Sequence, residues 1–350
     1  MRKNLLVILT GVAAGLAALL LVRLGNPENM GFCLACFLRD GAGAVGLHSA
    51  EAVQYLRPEI VGLALGSFVM SLVMREFRPR GGSSPVTRMA VGFFIMVGAL
   101  MFLGCPLRML IRLGGGDLNA MIGLAGFTAG VGAGVLALNK GFTLRRAYPQ
   151  AKAEGAAFPI GIAVLFVLFL LVPSLFSFSQ SGPGSMHAPV LASLAGGLLV
   201  GALAQRSRFC MAGGLRDLML FRDLHLLWGS VALLGTVLVG NLLLGAFRLG
   251  FANQPVAHAD GLWNFLGMAL VGWGSVLLGG CPLRQLVLAG EGDGDSAMAV
   301  VGMVLGAAFC HHFGLASSAA GPTLNGQVAV AAGLVLMGVL SRVHLAREGR

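Results

Sequence analysis

The sequence predicts an all-α polytopic integral membrane protein with about ten transmembrane helices in two inverted four-span repeats. Short re-entrant half-helices carry paired cysteine motifs. Three observations predict this. The first is composition: 57% of the 350 residues are hydrophobic, only 11% are charged, and the mean hydropathy is +0.85. A soluble domain carries roughly 25% charged residues, so most of this chain does not face water. Fifty-four glycines in an apolar background suit close helix contact in lipid. The ten-residue alternating segments of a membrane barrel are lacking.

The second observation is a doubling. Gly104-Cys105-Pro106-Leu107-Arg108 returns as Gly280-Cys281-Pro282-Leu283-Arg284, each with an acid twelve residues past its cysteine, Asp117 and Asp293. Upstream, Phe32-Cys33-Leu34-Ala35 with Leu38-Arg39-Asp40 returns as Phe209-Cys210-Met211-Ala212 with Leu215-Arg216-Asp217. The cysteines of the first copy stand 72 residues apart and those of the second 71. Two matched motifs at nearly one offset mark an internal duplication.

The third is where the charge lies. The net charge of +10 sits mainly at the ends of apolar runs, as the positive-inside rule requires, and not as a basic patch for nucleic acid.

A bilayer takes about 20 apolar residues per helix. In chain order the runs are A (5–24), B (60–73), C (86–103), D (118–138), E (158–176), F (190–204), G (224–244), H (262–278), I (297–315) and J (328–343). Run A resembles a signal peptide, but no small-x-small site follows and Arg23 closes it, so it reads as a retained span. With ten spans, Arg2 and Lys3, the B–C loop (Arg75, Arg78, Arg80, Arg88), the D–E loop (Lys140, Arg145, Arg146, Lys152) and the tail (Arg342, Arg347, Arg350) fall on one side. That side is the cytoplasm by the positive-inside rule, with both termini in it.

Spans A–D and F–I form the repeats, and the lone span E turns the second one over, the inverted arrangement of many transporters. The expected organisation is a first repeat at 1–139, a cytoplasmic linker at 140–157, a connecting span and loop at 158–184, a second repeat at 185–315, and a C-terminal span and tail at 316–350. The stretches after the cysteines (34–38, 107–113, 211–215, 283–288) are too short to cross. A membrane tolerates such pieces where they line an enclosed pathway.

In Gly-Cys-Pro-Leu-Arg, proline suits the first helical position. The cysteine then stands near the N-cap, beside free N–H groups and the positive end of the dipole, a terminus that attracts anions. Thiolates would repel an anionic solute, so neutral thiols are expected at Cys33, Cys105, Cys210 and Cys281, with Arg108 and Arg284 supplying charge. The bland alternative is that the cysteines pack a tight turn; charge beside them in a membrane is expensive and favours function. Arg39-Asp40 and Arg216-Asp217 are expected to be internal ion pairs, lining the entrances being the other reading. Asp117 and Asp293, after glycine turns, are expected to be N-caps.

Cys33-x-x-Cys36 raises a redox or metal reading, but Gly213 stands where the second repeat would need its cysteine, so a paired thiol is not required by the duplicated function. Cys310-His311-His312 could bind metal, yet adjacent histidines on a helix point about 100° apart and chelate poorly. Cysteines embedded in apolar runs argue against a disulfide framework. No P-loop or dinucleotide fingerprint is present, so neither an enzyme nor a cofactor is expected.

These motifs, together with Gly114-Gly115-Gly116-Asp117, resemble the YeeE/YedE family of membrane permeases for sulfur compounds, nearest the YedE-type branch regarded as selenium transporters. The resemblance covers nearly the whole chain. It implies a bacterial inner-membrane protein with a narrow central path, along which cysteines of thiosulfate-carrying relatives touch the solute through S–H···S contacts. Carried over here, Cys105 and Cys281 are the leading candidates, then Cys33 and Cys210. Cys36 and Cys310 match no doubled motif. A small cytoplasmic thiol-carrier protein is the partner the resemblance implies. The expected function is transport of a small selenium- or sulfur-containing anion. The alternatives are a thiol relay through Cys33 and Cys36, and a metal permease through Cys310, His311 and His312.

Overall fold

The computed structural model describes residues 2–345. Arg347 and Arg350 lie outside the described residues, and so do the side chains of Arg2 and Lys3. The first repeat holds α1 (Arg2–Arg23), α2 (Leu34–Ala44), α3 (Pro58–Val73), α4 (Pro85–Phe102), α5 (Pro106–Gly114) and α6 (Leu118–Asn139). After α7 (Lys152–Leu171), the second repeats the order: α8 (Val190–Ser207), α9 (Met211–Phe221), α10 (His225–Leu243), α11 (Gly261–Leu277), α12 (Pro282–Gly290) and α13 (Gly294–His312), followed by α14 (Leu324–Val343). Among the described residues nine helical runs are long and apolar enough to cross a membrane, and α3, 16 residues long, is a shorter apolar tenth. The chain is a polytopic α-helical membrane protein.

The ten spans expected from hydropathy all form helices; E and I are shifted toward the N-terminus at both ends, and J begins early, at Leu324. The helix of span E begins at Lys152 and stops at Leu171, because Pro173 cannot continue it and opens a single 3₁₀ turn. The helix of span I runs from Gly294 to His312, and Gly314 at φ +65° turns the chain away.

The repeats interlock instead of standing side by side. Helix α3 packs on α8 as α1 packs on α10, and α6 packs on α11 as α4 packs on α13. Each of these contacts crosses between repeats and has its counterpart when the repeats are exchanged. Glycines set the spacing: a methyl on Gly130 would strike the carbonyl of Ala269, and one on Gly302 that of Met89. Such close backbone approach is how helices gain packing energy in lipid. Helices α7 and α14 break the exchange. The first lies on α3 and α12, the second on α4 and α11.

Contacts at the helix ends give the orientation. Asn26, just past α1, accepts from the amide of Ala188 just before α8. His258, ahead of α11, bonds the carbonyl of Met101 at the end of α4. Equivalent helices therefore run in opposite directions, as an inverted repeat demands. At the other end of the bundle, the loop after α3 pairs with the loop before α7 (Arg80 with Pro149), Glu76 meets Gln205 and Arg206 at the end of α8, and Thr143 bonds His344 past α14. The arginine-rich loops identified from sequence thus converge on one face.

A two-sided architecture of this kind leaves the short helices in its middle. Half-helices α2, α5, α9 and α12 have 11, 9, 11 and 9 residues, about 14–17 Å at 1.5 Å per residue. None could cross a hydrocarbon core of about 30 Å. They are wrapped by the spans, and their N-termini lie in the larger of two buried clusters.

Candidate functional site

Each cysteine singled out by the duplication is the N-cap of a half-helix: Cys33 of α2, Cys105 of α5, Cys210 of α9 and Cys281 of α12. Two local designs produce this. Pro106 and Pro282 fix the first turn and remove an amide that would have no partner. Cys33 and Cys210 cap with their own sulfur, accepting from the amides of Cys36 at 3.4 Å and Gly213 at 3.2 Å, in the manner of a serine cap.

The caps meet in pairs within each repeat. The sulfurs of Cys33 and Cys105 are 3.9 Å apart, and the amide of Cys281 donates to the Cys210 sulfur at 3.3 Å. All four are buried free thiols. Helix α2 touches α12 and α5 touches α9 across the repeats, and the four caps, at helix ends that carry partial positive charge, belong to one buried cluster.

The two pairs differ in access. Cys210 lines a cavity of about 320 Å³, walled by Arg208, Arg216 and Arg284 and floored by Gly213. A neighbouring cavity of about 170 Å³ shares Arg208 and Arg284 and adds Glu76, Arg80 and Glu291. On the opposite face a vestibule of about 470 Å³, lined by Asn26, Asn29, Ile111 and Gln254 among others, reaches no cysteine.

Arg108 fills the space between. It is fully buried, donates from Nε to Asn29 O (2.8 Å), from Nη2 to Val256 O (3.0 Å) and from Nη1 to Leu103 O, and its Nη1 lies 3.2 Å from the Cys36 sulfur. Among the described residues its counterpart Arg284 is tied only to Glu291, at 3.0 Å, and stays partly open to the mouth. Burial holds the Glu291 carboxyl above the usual glutamate range, against the pull of Arg284.

The supporting residues fall into place around these pairs. Asp40 is clamped by Arg39 and by Arg57, all three buried. Arg216 pairs with Asp217 at 2.8 Å on the wall of the mouth. Asp117 caps α6 through Asn119, and Asp293 caps α13 through Ser296. Asp117 also holds the buried Arg112 (2.7 Å), and Asp293 holds Arg80 (2.6 Å).

Three cations escaped the sequence reading. Arg57, Arg112 and Arg208 all stand outside the doubled motifs. The one available signal was that an arginine two residues before Cys210 replaces Gly31 two residues before Cys33.

Cys36 faces Arg108. Cys310 is buried in α13, and the His311 ring lies tilted against that of His48, with centroids 4.7 Å apart. Among the described residues no three histidine, cysteine or acidic side chains come together as a metal site.

Residues 206–342 match the family model described as "Sulphur transport". The thiosulfate transporter TsuA of Escherichia coli is 30% identical over 107 residues, which is 31% of this chain and 30% of that protein. The protein of the same name from Spirochaeta thermophila is 33% identical over 96 residues, 27% of this chain and 28% of its own length. Each match spans less than a third of the relative concerned. The part of the chain that resembles the sulphur-transport family model is thus the second repeat with the last helix, the part that carries Cys210 and Cys281.

Proposed function

We propose that this protein is a transporter that passes a small sulfur-containing anion through the ring of half-helix N-termini. The path is lined by Cys33, Cys105, Cys210 and Cys281, with Arg284 drawing charge to one mouth and Arg108 closing the other. The observation that carries this reading is the placement of four buried thiols, each at the N-cap of a half-helix. Helix N-termini favour an anion without burying a compensating cation. Thiols suit a soft sulfur or selenium atom better than oxygen ligands do. The thiosulfate transporters matched by part of the chain support the same cargo.

The face on which the arginine-rich loops converge is the cytoplasmic one in this reading, the membrane is the bacterial inner membrane, and both termini lie inside. A small thiol-carrier protein implied by the family resemblance takes up the solute there.

Uptake of labelled thiosulfate and labelled selenite into vesicles reconstituted with wild type, Cys105→Ala and Cys281→Ala tests the reading and separates the sulfur from the selenium cargo. Entry of one solute, lost in both variants, is the expected result. Unchanged uptake in the variants refutes the cysteine path. Cys36→Ser should leave uptake largely intact, whereas a relay through Cys33 and Cys36 would fail with it.

A further inference from the structure

We propose that the mouth over Cys210 is a binding site for a divalent oxyanion, and that Arg208 positions the anion there, at the end of the path on the face of the arginine-rich loops. The inference rests on the transport reading only for what happens after binding.

The chemistry of the cavity points to this ligand class. Its guanidinium groups, Arg208, Arg216 and Arg284, outnumber its carboxylates, Asp217 and Asp223, and its floor is the thiol and N-terminal backbone of α9 at Cys210 and Gly213. Two of the arginines are already engaged, Arg216 with Asp217 and Arg284 with Glu291. Asp223 spends one oxygen on the amide of His225. Arg208 is the cation of this wall that makes no ion pair among the described residues, and it lines both this cavity and the smaller one beside it. A planar guanidinium binds oxyanions through a fork of two donors.

The backbone holds Arg208 in an unusual way. It sits at φ +55° as the left-handed C-cap of α8, its amide bonded to Ala204 O. Glycine is the residue normally used in this conformation, and another L-residue costs about 1 kcal/mol there. The first repeat keeps glycine at the matching place, two residues before its cysteine. A side chain on that Gly31 would collide with the Ala18 carbonyl. Only the second repeat can carry a cation at this position, and it is the repeat whose cysteine is reached by a cavity.

An anion with one sulfur terminus fits the mouth in one sense: oxygens toward Arg208 and Arg284, sulfur toward Cys210. Binding exchanges Glu291 for the anion on Arg284. Sulfate offers the same oxygens but no soft terminus, so it occupies the mouth and competes there without needing to pass.

Equilibrium binding of labelled thiosulfate to purified protein, with unlabelled sulfate as competitor, tests this in wild type, Arg208→Gln and Arg248→Gln. Arg208 is exposed, so its substitution leaves the fold intact. Arg208→Gln should weaken both thiosulfate and sulfate about tenfold, the loss of one charged fork, while Arg248→Gln, an equal loss of charge at an exposed position on the opposite face, binds as wild type does. Binding unchanged in Arg208→Gln overturns the inference whatever the vesicles transport. Binding that depends on Arg208 in a protein that carries no thiosulfate upholds the site and sinks the transport reading. Absence of thiosulfate and sulfate binding in wild type overturns the site.

Discussion

Arg108 and Arg284 occupy equivalent positions, yet the structure assigns them unequal energetic roles, and paired substitutions to glutamine expose the difference. Arg108→Gln removes donors from three buried carbonyls, those of Asn29, Leu103 and Val256, and the single amide nitrogen of the shorter glutamine can serve two of them at most. The carbonyl left without a partner costs about 1–3 kcal/mol, so a loss of about 2–3 kcal/mol is expected. Arg284→Gln breaks one ion pair whose members keep 12% and 15% of their side-chain surface. Gln285 already serves the carbonyls of Leu278 and Gly280 at the end of the preceding span. The expected cost there is about 1 kcal/mol. Thermal unfolding in detergent, followed through the fluorescence of Trp228, Trp263 and Trp273, reads both. At about 2–4 °C per kcal/mol for a large domain, Arg108→Gln should lower the midpoint by about 8 °C and Arg284→Gln by about 3 °C. Equal shifts, or a larger one for Arg284→Gln, would refute the claim that one half is sealed and the other open.

Two further outcomes follow from packing and from charge. Gly130→Val should cost about 3 kcal/mol or more by forcing α6 from the Ala269 carbonyl of α11, while Gly132→Val on the same helix, where a Cβ meets nothing within 4 Å, should be nearly neutral; detergent stability of the two variants checks this. Glu291 titrates higher in the folded protein than in the unfolded chain because of burial, so its contribution to stability is fully present below the unfolded value and is lost as pH rises through the folded one. Glu291→Gln should therefore close the gap to wild type, or reverse it, as the medium moves from acid to neutral, and a gap that widens with rising pH would contradict the burial.

The fold was legible because membrane insertion imposes its pattern residue by residue: runs long enough to span, charges confined to their ends, and prolines and glycines bracketing pieces too short to cross. The N-caps were legible for a similar reason, since Cys-Pro and Gly-Gly-Asp are local signals. Partnerships across the repeats were not. Nothing near Asp40 announces Arg57, which arrives from the far side of an irregular loop, and Asp117 reads as a helix cap whether or not Arg112 folds back onto it. Duplication also hides what distinguishes its copies. Arg112 has Leu288 as its counterpart, Met109 has Gln285, and Gly31 has Arg208. Gln285 bonds the Leu278 carbonyl as Arg112 bonds that of Phe102, and Arg284 is left free to face a cavity while Arg108 is locked among carbonyls. Two faithful copies would be sealed at both ends or open at both. A one-sided mouth therefore has to come from the few positions where the copies diverge, and those positions, not the matched motifs, separate the sealed half from the open one.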